Sequence, residues 1–242
     1  MLGVAVLRYL PDRPEGAAWL EPEQRRWLVE RLAIERGQCV KHHGFSVGRA
    51  LSSAVVWQLG LLVFLSVSFG QYALGLWLPQ IVRGFYSLSN LEIGFVVAIP
   101  SFFAVITMLI VAAHSDRTGE RCLHIAAASS VAAVGFLGCA LVRSPALSVM
   151  FLSLASAGLL SAHGPFWPLP SKFLSGSAAA GGIALINSLA NLSGFAGPYA
   201  TGLLNGASGN FRNGLLLLAL VPLAGMALAL RLRHAAVPWD VT

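Results

Sequence analysis

Charge is scarce in this sequence, and the scarcity argues against a soluble fold. Only 11% of the 242 residues are charged, whereas 56% are hydrophobic; a typical soluble domain is about 25% charged. A soluble chain would need more polar surface than this composition offers. Several apolar runs reach the length of about 18 residues at which a helix becomes a candidate membrane span. The composition therefore predicts an integral membrane protein.

Motifs for covalent or metal chemistry are also missing. The three cysteines, Cys39, Cys122 and Cys139, have no paired spacing, which argues against a disulfide framework and a zinc site. No phosphate-binding glycine loop and no nucleophile–base pair is recognisable. We therefore expect no cofactor, no metal and no enzymatic activity. The net charge of +6 is better explained by membrane topology than by nucleic acid, so no nucleic-acid partner is expected.

The order of polar and apolar stretches predicts the domain organisation. Pro22 and Gly37 are expected to begin and end a helix that lies on the protein surface or at the lipid interface. The apolar runs after it lack strand alternation, so six transmembrane helices are predicted, near 53–82, 91–113, 125–142, 146–172, 179–204 and 211–232. The predicted segments are the end of a preceding transmembrane helix (1–10), a cytoplasmic central loop with an amphipathic helix (11–50), a six-helix transmembrane bundle (51–233) and a cytoplasmic tail (234–242).

Basic residues predict the orientation of these helices. With six spans the two chain ends share one side, which would hold thirteen Lys and Arg residues against three on the other side. Because Lys and Arg favour cytoplasmic loops, both ends are predicted to be cytoplasmic. The charged stretch AAHSDRTGERCLH (112–124) is then a cytoplasmic loop between the second and third spans.

The residue order of that stretch resembles the cytoplasmic signature of the major facilitator superfamily, in its weaker second copy. The matching positions are Asp116, Arg117, Gly119 and Arg121. Glu120 replaces a usual basic residue, and Ala112 replaces a usual glycine. Charge alone supports only interfacial anchoring and a tight turn. The resemblance implies a conformational latch, in which the aspartate gains from the partial positive charge of a helix N-terminus in one state only.

Two longer stretches carry the same resemblance. LPDRPEGAAWLEPEQRRWL (10–28) resembles the central loop of the anion:cation symporter branch. Residues 164–199 resemble its tenth and eleventh helices, closest to those of bacterial permeases for tartrate, phthalate, hydroxyphenylacetate and sugar acids. The resemblance implies an all-α membrane protein, the C-terminal half of a twelve-helix major facilitator fold in the cell inner (plasma) membrane. The implied partners are a small organic anion, protons, the lipid bilayer and the missing N-terminal six-helix half.

Uncharged polar residues near mid-span are the candidate substrate-binding residues. Asn187 and Asn191 are four residues apart, hence on one helix face, where they serve as interhelical glue or as substrate contacts; the resemblance favours contact. Gln71 and Tyr72 lie just past the middle of the first span, where the resemblance implies a cavity lining. His163, in the cytoplasmic half of the fourth span, is either a hydrogen-bonded packing residue or a proton or gating residue.

The acidic residue nearest to a span is Glu92. Ser89 precedes it by three residues, a spacing that predicts a capping box rather than a proton carrier.

The expected function, which the resemblance implies, is secondary active transport of a small organic anion, such as a carboxylate or sugar acid, with protons and by alternating access. The alternative is a non-transporting membrane fragment with a scaffold or regulatory role.

Overall fold

The computed structural model describes residues 11, 14–17, 19–42, 48, 51–85, 89–174 and 176–234. Within these residues every regular element is a helix, and six helices are long and apolar enough to cross a membrane. The all-α fold class is therefore confirmed. The preceding helix expected at 1–10 and the tail after residue 234 lie outside the described residues, so the domain boundaries there stay predictions.

The polar region near the start of the chain forms one long helix, α1 (Pro22–His42). The prediction that Gly37 ends this helix is wrong, because the helix continues for five further residues. A single glycine inside a helix costs only about 1 kcal/mol relative to alanine, which compatible neighbours can offset.

Six membrane-length spans follow, and two of them are composite. The first span is helix α2, a π-helical segment and helix α3; the fourth is three consecutive helices, α6 to α8. In chain order the helices are α2 (Ala54–Val63), the π-helical segment (Phe64–Ser68), α3 (Phe69–Phe85), α4 (Asn90–Thr118), α5 (Cys122–Leu141), α6 (Pro145–Ser161), α7 (His163–Phe166), α8 (Pro168–Phe173), α9 (Gly176–Ser208) and α10 (Arg212–His234). The second, third, fifth and sixth spans are α4, α5, α9 and α10.

Local chemistry explains the two ends of the second span. Ser89 and Glu92 form the predicted capping box, since each side chain bonds the other residue's backbone N–H. The helix then runs to Thr118 and ends at Gly119, whose φ of 71° is the left-handed conformation that favours glycine. The prediction that 112–124 is a loop is therefore wrong except at residues 119–121. An apolar span continues into a polar sequence until a C-capping glycine stops it.

The backbones of the third and fourth spans touch at two glycines. A Cβ atom built on Gly135 would lie 2.4 Å from the backbone nitrogen of Ala155, and one on Gly158 would lie 2.4 Å from that of Ala132. Only glycine permits such backbone contact, which is how helices associate where no hydrophobic effect drives them together. We call this contact the glycine seam.

The rest of the bundle is arranged around that seam. The third span also packs against the sixth, the second packs against the fourth, and the fifth packs against the first. Burial is uneven: 61%, 56% and 56% of the residues in the most apolar window are buried in the first, third and fourth spans, against 11% in the second and 22% in the fifth. The second and fifth spans therefore present long uncovered faces.

Candidate functional site

A cavity of about 750 Å³ opens among the first, second, fourth and fifth spans. Its polar lining side chains are Gln71, Tyr72, Ser101 and Ser156. Among the residues that the structure describes, the remaining lining residues are apolar and none is charged. The cavity thus offers hydroxyl and amide groups within apolar walls, a composition typical of small-molecule sites.

Gln71 is joined to His163 of the fourth span. The Nε2 atom of the histidine and the Oε1 atom of the glutamine are 2.8 Å apart. His163 is the first residue of α7, directly after the break at Ala162 that ends α6. Sequence reasoning placed His163 away from the mid-span residues, whereas the structure connects it to one of them. The contact joins residues that are 92 positions apart in the sequence, which counting along one helix does not reveal.

Tyr72 and Asn191 form a second polar pair. The tyrosine hydroxyl donates to the amide oxygen of Asn191 at 3.2 Å, and the amide nitrogen of Asn191 donates to the backbone carbonyl of Asn187 at 2.9 Å. The ring of Tyr72 contacts the fifth span at Gly194, where an added Cβ would lie 3.5 Å from the ring. Asn191 thus reaches the cavity margin through Tyr72. Asn187 lies one turn away, half-buried, and neither asparagine is among the cavity-lining residues.

The contact between the first and fifth spans fixes this second pair. Trp77 donates its indole N–H to the backbone carbonyl of Pro198 at 3.1 Å. A Cβ on Gly197 would lie 2.4 Å from the carbonyl oxygen of Phe69, so the two backbones touch there. Sequence reasoning missed Ser101 and Ser156 as lining residues. A single serine in an apolar helix carries no positional signal, since many such serines only bond their own helix backbone, as Ser153 does.

The polar residues of the sequence signature gather where the second span meets the third; we call residues 114–124 with 231–234 the charged end. Asp116 Oδ1 lies 2.5 Å from the guanidinium nitrogen Nη1 of Arg121, and the same nitrogen also donates to the Ser115 hydroxyl at 3.1 Å. Arg121 is the N-cap of the third span, so the aspartate lies close to a helix N-terminus. Gly119 makes the turn between them. Arg117, on the same helical turn as Asp116, is exposed.

Two further contacts at the charged end were not predicted. Glu120 stands where the family pattern has a basic residue. Its carboxylate oxygen Oε1 lies 3.3 Å from the guanidinium nitrogen Nη2 of Arg233 in the sixth span. The imidazoles of His114 and His124 meet at 2.7 Å between nitrogens, joining the second span to the third. Among the described residues no group of three or more His, Cys, Asp and Glu side chains is arranged to hold a metal ion.

Comparison with known proteins gives a consistent family. The sequence model described as Major Facilitator Superfamily matches residues 1–198. A protein named "Putative tartrate transporter" from Agrobacterium vitis is 42% identical over 220 residues, which is 90% of this chain and 48% of that protein. A "Quinolone resistance transporter" from Acinetobacter baumannii is 35% identical over 94% of this chain and 52% of its own length. The "Inner membrane transport protein RhmT" of Escherichia coli is 31% identical over 96% of this chain and 53% of its own length. The chain spans about half the length of the curated relatives it matches.

Proposed function

Because this chain belongs to the major facilitator superfamily, we propose that it is one half of a secondary active transporter for a small organic anion. The anion would be a carboxylate or a sugar acid. The observation that carries this proposal is the uncharged, hydrogen-bonding cavity among four of the spans. Two similar proteins are named for tartrate, a small dicarboxylate whose hydroxyl and carboxylate groups suit amide and hydroxyl partners.

Four side chains are proposed to contact the substrate: Gln71, Tyr72, Asn187 and Asn191. Gln71 and Tyr72 line the cavity, so they can donate directly to a carboxylate. The Tyr72–Asn191 bond of 3.2 Å would be exchanged for bonds to the substrate, which lets Asn191 enter the site. Since no cation of the described part of the chain lines the cavity, the charge that balances the anion would come from outside this bundle.

A second six-helix bundle is the proposed source of that charge. In transporters built from repeats, the substrate lies between two such bundles near the middle of the membrane. The second and fifth spans, only 11% and 22% buried, present the faces on which a second bundle would pack. The chain also spans about half the length of its relatives, which is consistent with a six-helix partner.

Alternating access would follow from rocking of the two bundles, with protons as the coupling ion. The proposed topology is that of a cell inner membrane protein whose chain ends and charged end are cytoplasmic, as the basic residues indicate. The Asp116–Arg121 ion pair would act as the latch, with Arg117 exposed beside it and Gly119 setting the turn. The latch would be made in one state and broken in the other.

Uptake of radiolabelled tartrate tests the proposal. We expect cells that express this chain together with the complementary half of the Agrobacterium vitis relative to take up tartrate, and cells with either half alone to show none. Replacing Asn191 with alanine should lower the uptake about tenfold, since a lost hydrogen bond to a charged group costs about 1.5 kcal/mol or more. The amount of protein in the membrane should stay unchanged.

Ser188→Ala is the matched control, because the one bond of the Ser188 hydroxyl within the described part of the chain goes to the Ala184 carbonyl of its own helix. Normal uptake by the Asn191 variant would refute the substrate role of this residue. Tartrate uptake by the chain alone would refute the need for a second bundle. Absence of uptake of tartrate and of other carboxylates, with both halves present in the membrane, would favour the non-transporting alternative.

A further inference from the structure

His163 contacts a cavity residue without lining the cavity itself. Its Nε2 atom is 2.8 Å from Oε1 of Gln71, and Gln71 lines the cavity while His163 does not. His163 is half-buried and belongs to the broken part of the fourth span. A substrate in the cavity would therefore meet the glutamine amide, and the histidine would act on that substrate only through the glutamine.

The amide of a glutamine has a donor end and an acceptor end, so a bond to one end determines what the other end offers. If His163 Nε2 carries a proton, it donates to Oε1 of Gln71, and the NH₂ group is left for the cavity. If His163 Nε2 is unprotonated, it accepts from the NH₂ group, and the amide oxygen is left for the cavity. The structure has the first arrangement, with Oε1 at 2.8 Å from Nε2; a 180° rotation of the amide would give the second. The two arrangements present opposite hydrogen-bonding polarity to a ligand.

We propose that His163 is a positioning residue that sets the hydrogen-bonding polarity of Gln71 and thereby links proton binding to anion binding. This inference rests on the proposed function, since it names the regulation of the same cavity. Protonation of His163 places a proton on Nε2 in every case, because both nitrogens of imidazolium are donors. The glutamine NH₂ then faces the cavity and donates to a carboxylate. An anion and a proton therefore bind with positive coupling, which by linkage is reciprocal.

Other titratable groups on the helices around α7 must be separated from His163. The second span carries Glu92 in its first turn and His114, Asp116 and Arg117 near its last turn; the third carries His124 in its first turn. In the first span, Tyr72 follows Gln71 and Arg83 lies in the last turn.

Most of these groups have side-chain partners of their own. Glu92 bonds Ser89, Asp116 bonds Arg121, Tyr72 bonds Asn191, and the two histidines of the charged end bond each other. Lys172 belongs to α8, and its side chain lies outside the described residues. The described part of the chain gives His163 one side-chain partner, Gln71.

Nuclear magnetic resonance of the full chain in lipid nanodiscs tests the pair without any transport. With nitrogen-15 in histidine and glutamine side chains, the imidazole of His163 and the amide of Gln71 can be followed from pH 5 to pH 9. We expect the Gln71 amide signals to move with the same midpoint as the His163 imidazole, and to stop moving in His163→Gln. Gln58, on the same span and lining a different cavity, is the control amide and should not follow that midpoint. A Gln71 amide that stays fixed while His163 titrates would overturn the proposal, as would a His163 that does not titrate.

The affinity for tartrate gives the second readout, measured on the chain combined with the complementary half of its Agrobacterium vitis relative. The wild-type affinity should rise at least about 5-fold between pH 8 and pH 5.5. A change of that size is at the lower end of the affinity changes that coupling between two binding sites commonly produces. In His163→Gln the new amide can still hydrogen-bond Gln71 but does not titrate, so the affinity should change less than about 2-fold over the same range. His114→Gln, at the charged end, should keep the wild-type pH response.

The two readouts separate the two hypotheses. If no tartrate binds at any pH, the proposed function fails for this anion, and the resonance experiment still decides whether His163 controls Gln71. If tartrate binds and His163→Gln keeps the full wild-type pH response, the linkage through His163 is wrong and the proposed function stands.

Discussion

The glycine seam and the faces of the second and fifth spans show two different ways in which the same apolar composition is used. At the seam, two backbones touch, and Leu152 of the fourth span is fully buried. On the second span, Phe102 is 65% exposed, and on the fifth, Phe195 is 67% exposed. Composition does not distinguish these regions, since both are made of small and large apolar residues. What distinguishes them is the surroundings of their glycines: a neighbouring backbone lies against Gly135 and Gly158 at the seam, whereas a Cβ added to Gly94 of the second span or Gly206 of the fifth would meet nothing within 4 Å.

This difference indicates which part of the bundle is complete by itself. The first, third, fourth and sixth spans bury much of their apolar surface against one another, as the two core clusters around Leu62 and Phe136 show. The second span packs mainly against the fourth, with a smaller contact to the first, and the fifth packs mainly against the first. Large apolar faces left uncovered in one bundle mark surfaces for lipid or for another protein. The following substitutions test that division, from the largest expected effect to the smallest.

A leucine at the glycine seam should have the largest effect. Gly158→Leu would place a Cβ atom 2.4 Å from the backbone nitrogen of Ala132, so the third and fourth spans would have to separate. We expect the free energy of unfolding to fall by about 3 kcal/mol or more, the upper range for overpacking a core. Heating in detergent with a thiol-reactive dye measures this, because Cys122 and Cys139 are buried in the folded bundle and become reactive when it opens.

Gly94→Leu is the matched control for the seam. Gly94 is exposed on the second span, and an added Cβ there meets nothing within 4 Å. Leucine favours helix over glycine by roughly 0.5–1 kcal/mol, so stability should stay constant or rise. Equal loss of stability in the two variants would show that close backbone approach is not what holds the seam together.

Sequence patterns predicted the helices of this fold better than their contacts. Runs of apolar residues define six spans whatever lies beside them, and the Ser89–Glu92 capping box is local, so both were predictable. The extension of the second span to Thr118 depends on Gly119 adopting a positive φ. That could be recognised in principle, but the polar residues before it suggested a loop.

Contacts between distant parts of the chain were beyond sequence reasoning. The helical spacing of Asn187 and Asn191 was visible, but the partner of Asn191, Tyr72, is 119 residues away. The His163–Gln71 contact likewise joins residues that are 92 positions apart in the sequence. Glu120 departed from the family pattern, and only the structure shows that Arg233 lies opposite it. A single sequence contains no record of which helices are neighbours.

The ion pair that ties the uncovered second span to the third should give an intermediate effect. Asp116→Asn removes the charge that faces Arg121 at 2.5 Å, but the Asp116 side chain is 67% exposed. Exposed pairs contribute about 0.2–1 kcal/mol, so the unfolding temperature should change little. A latch predicts a separate result: tartrate uptake by the two-half complex should fall severalfold, because the relative populations of the two states change. Arg231→Gln, which removes an exposed charge at the charged end, controls for loss of charge, and an uptake defect as large as that of Asp116→Asn would remove the reason for assigning the latch to the Asp116–Arg121 pair.

Truncation of an uncovered face should have the smallest effect on the chain by itself. Phe102→Ala removes a ring that is 65% exposed, so the stability of the isolated bundle should change by less than about 0.5 kcal/mol. When this chain is combined with the complementary half of the relative, the same change should weaken co-purification of the two halves, because truncating an anchor in a buried interface commonly costs more than about 1 kcal/mol.

Val134→Ala on the third span, 55% exposed in this bundle, should leave both measurements unchanged, since the third span already packs between the fourth and sixth. Equal co-purification of the Phe102 variant and the wild type would mean that this face of the second span contacts lipid, and the comparison between seam and uncovered faces would then describe only packing within one bundle.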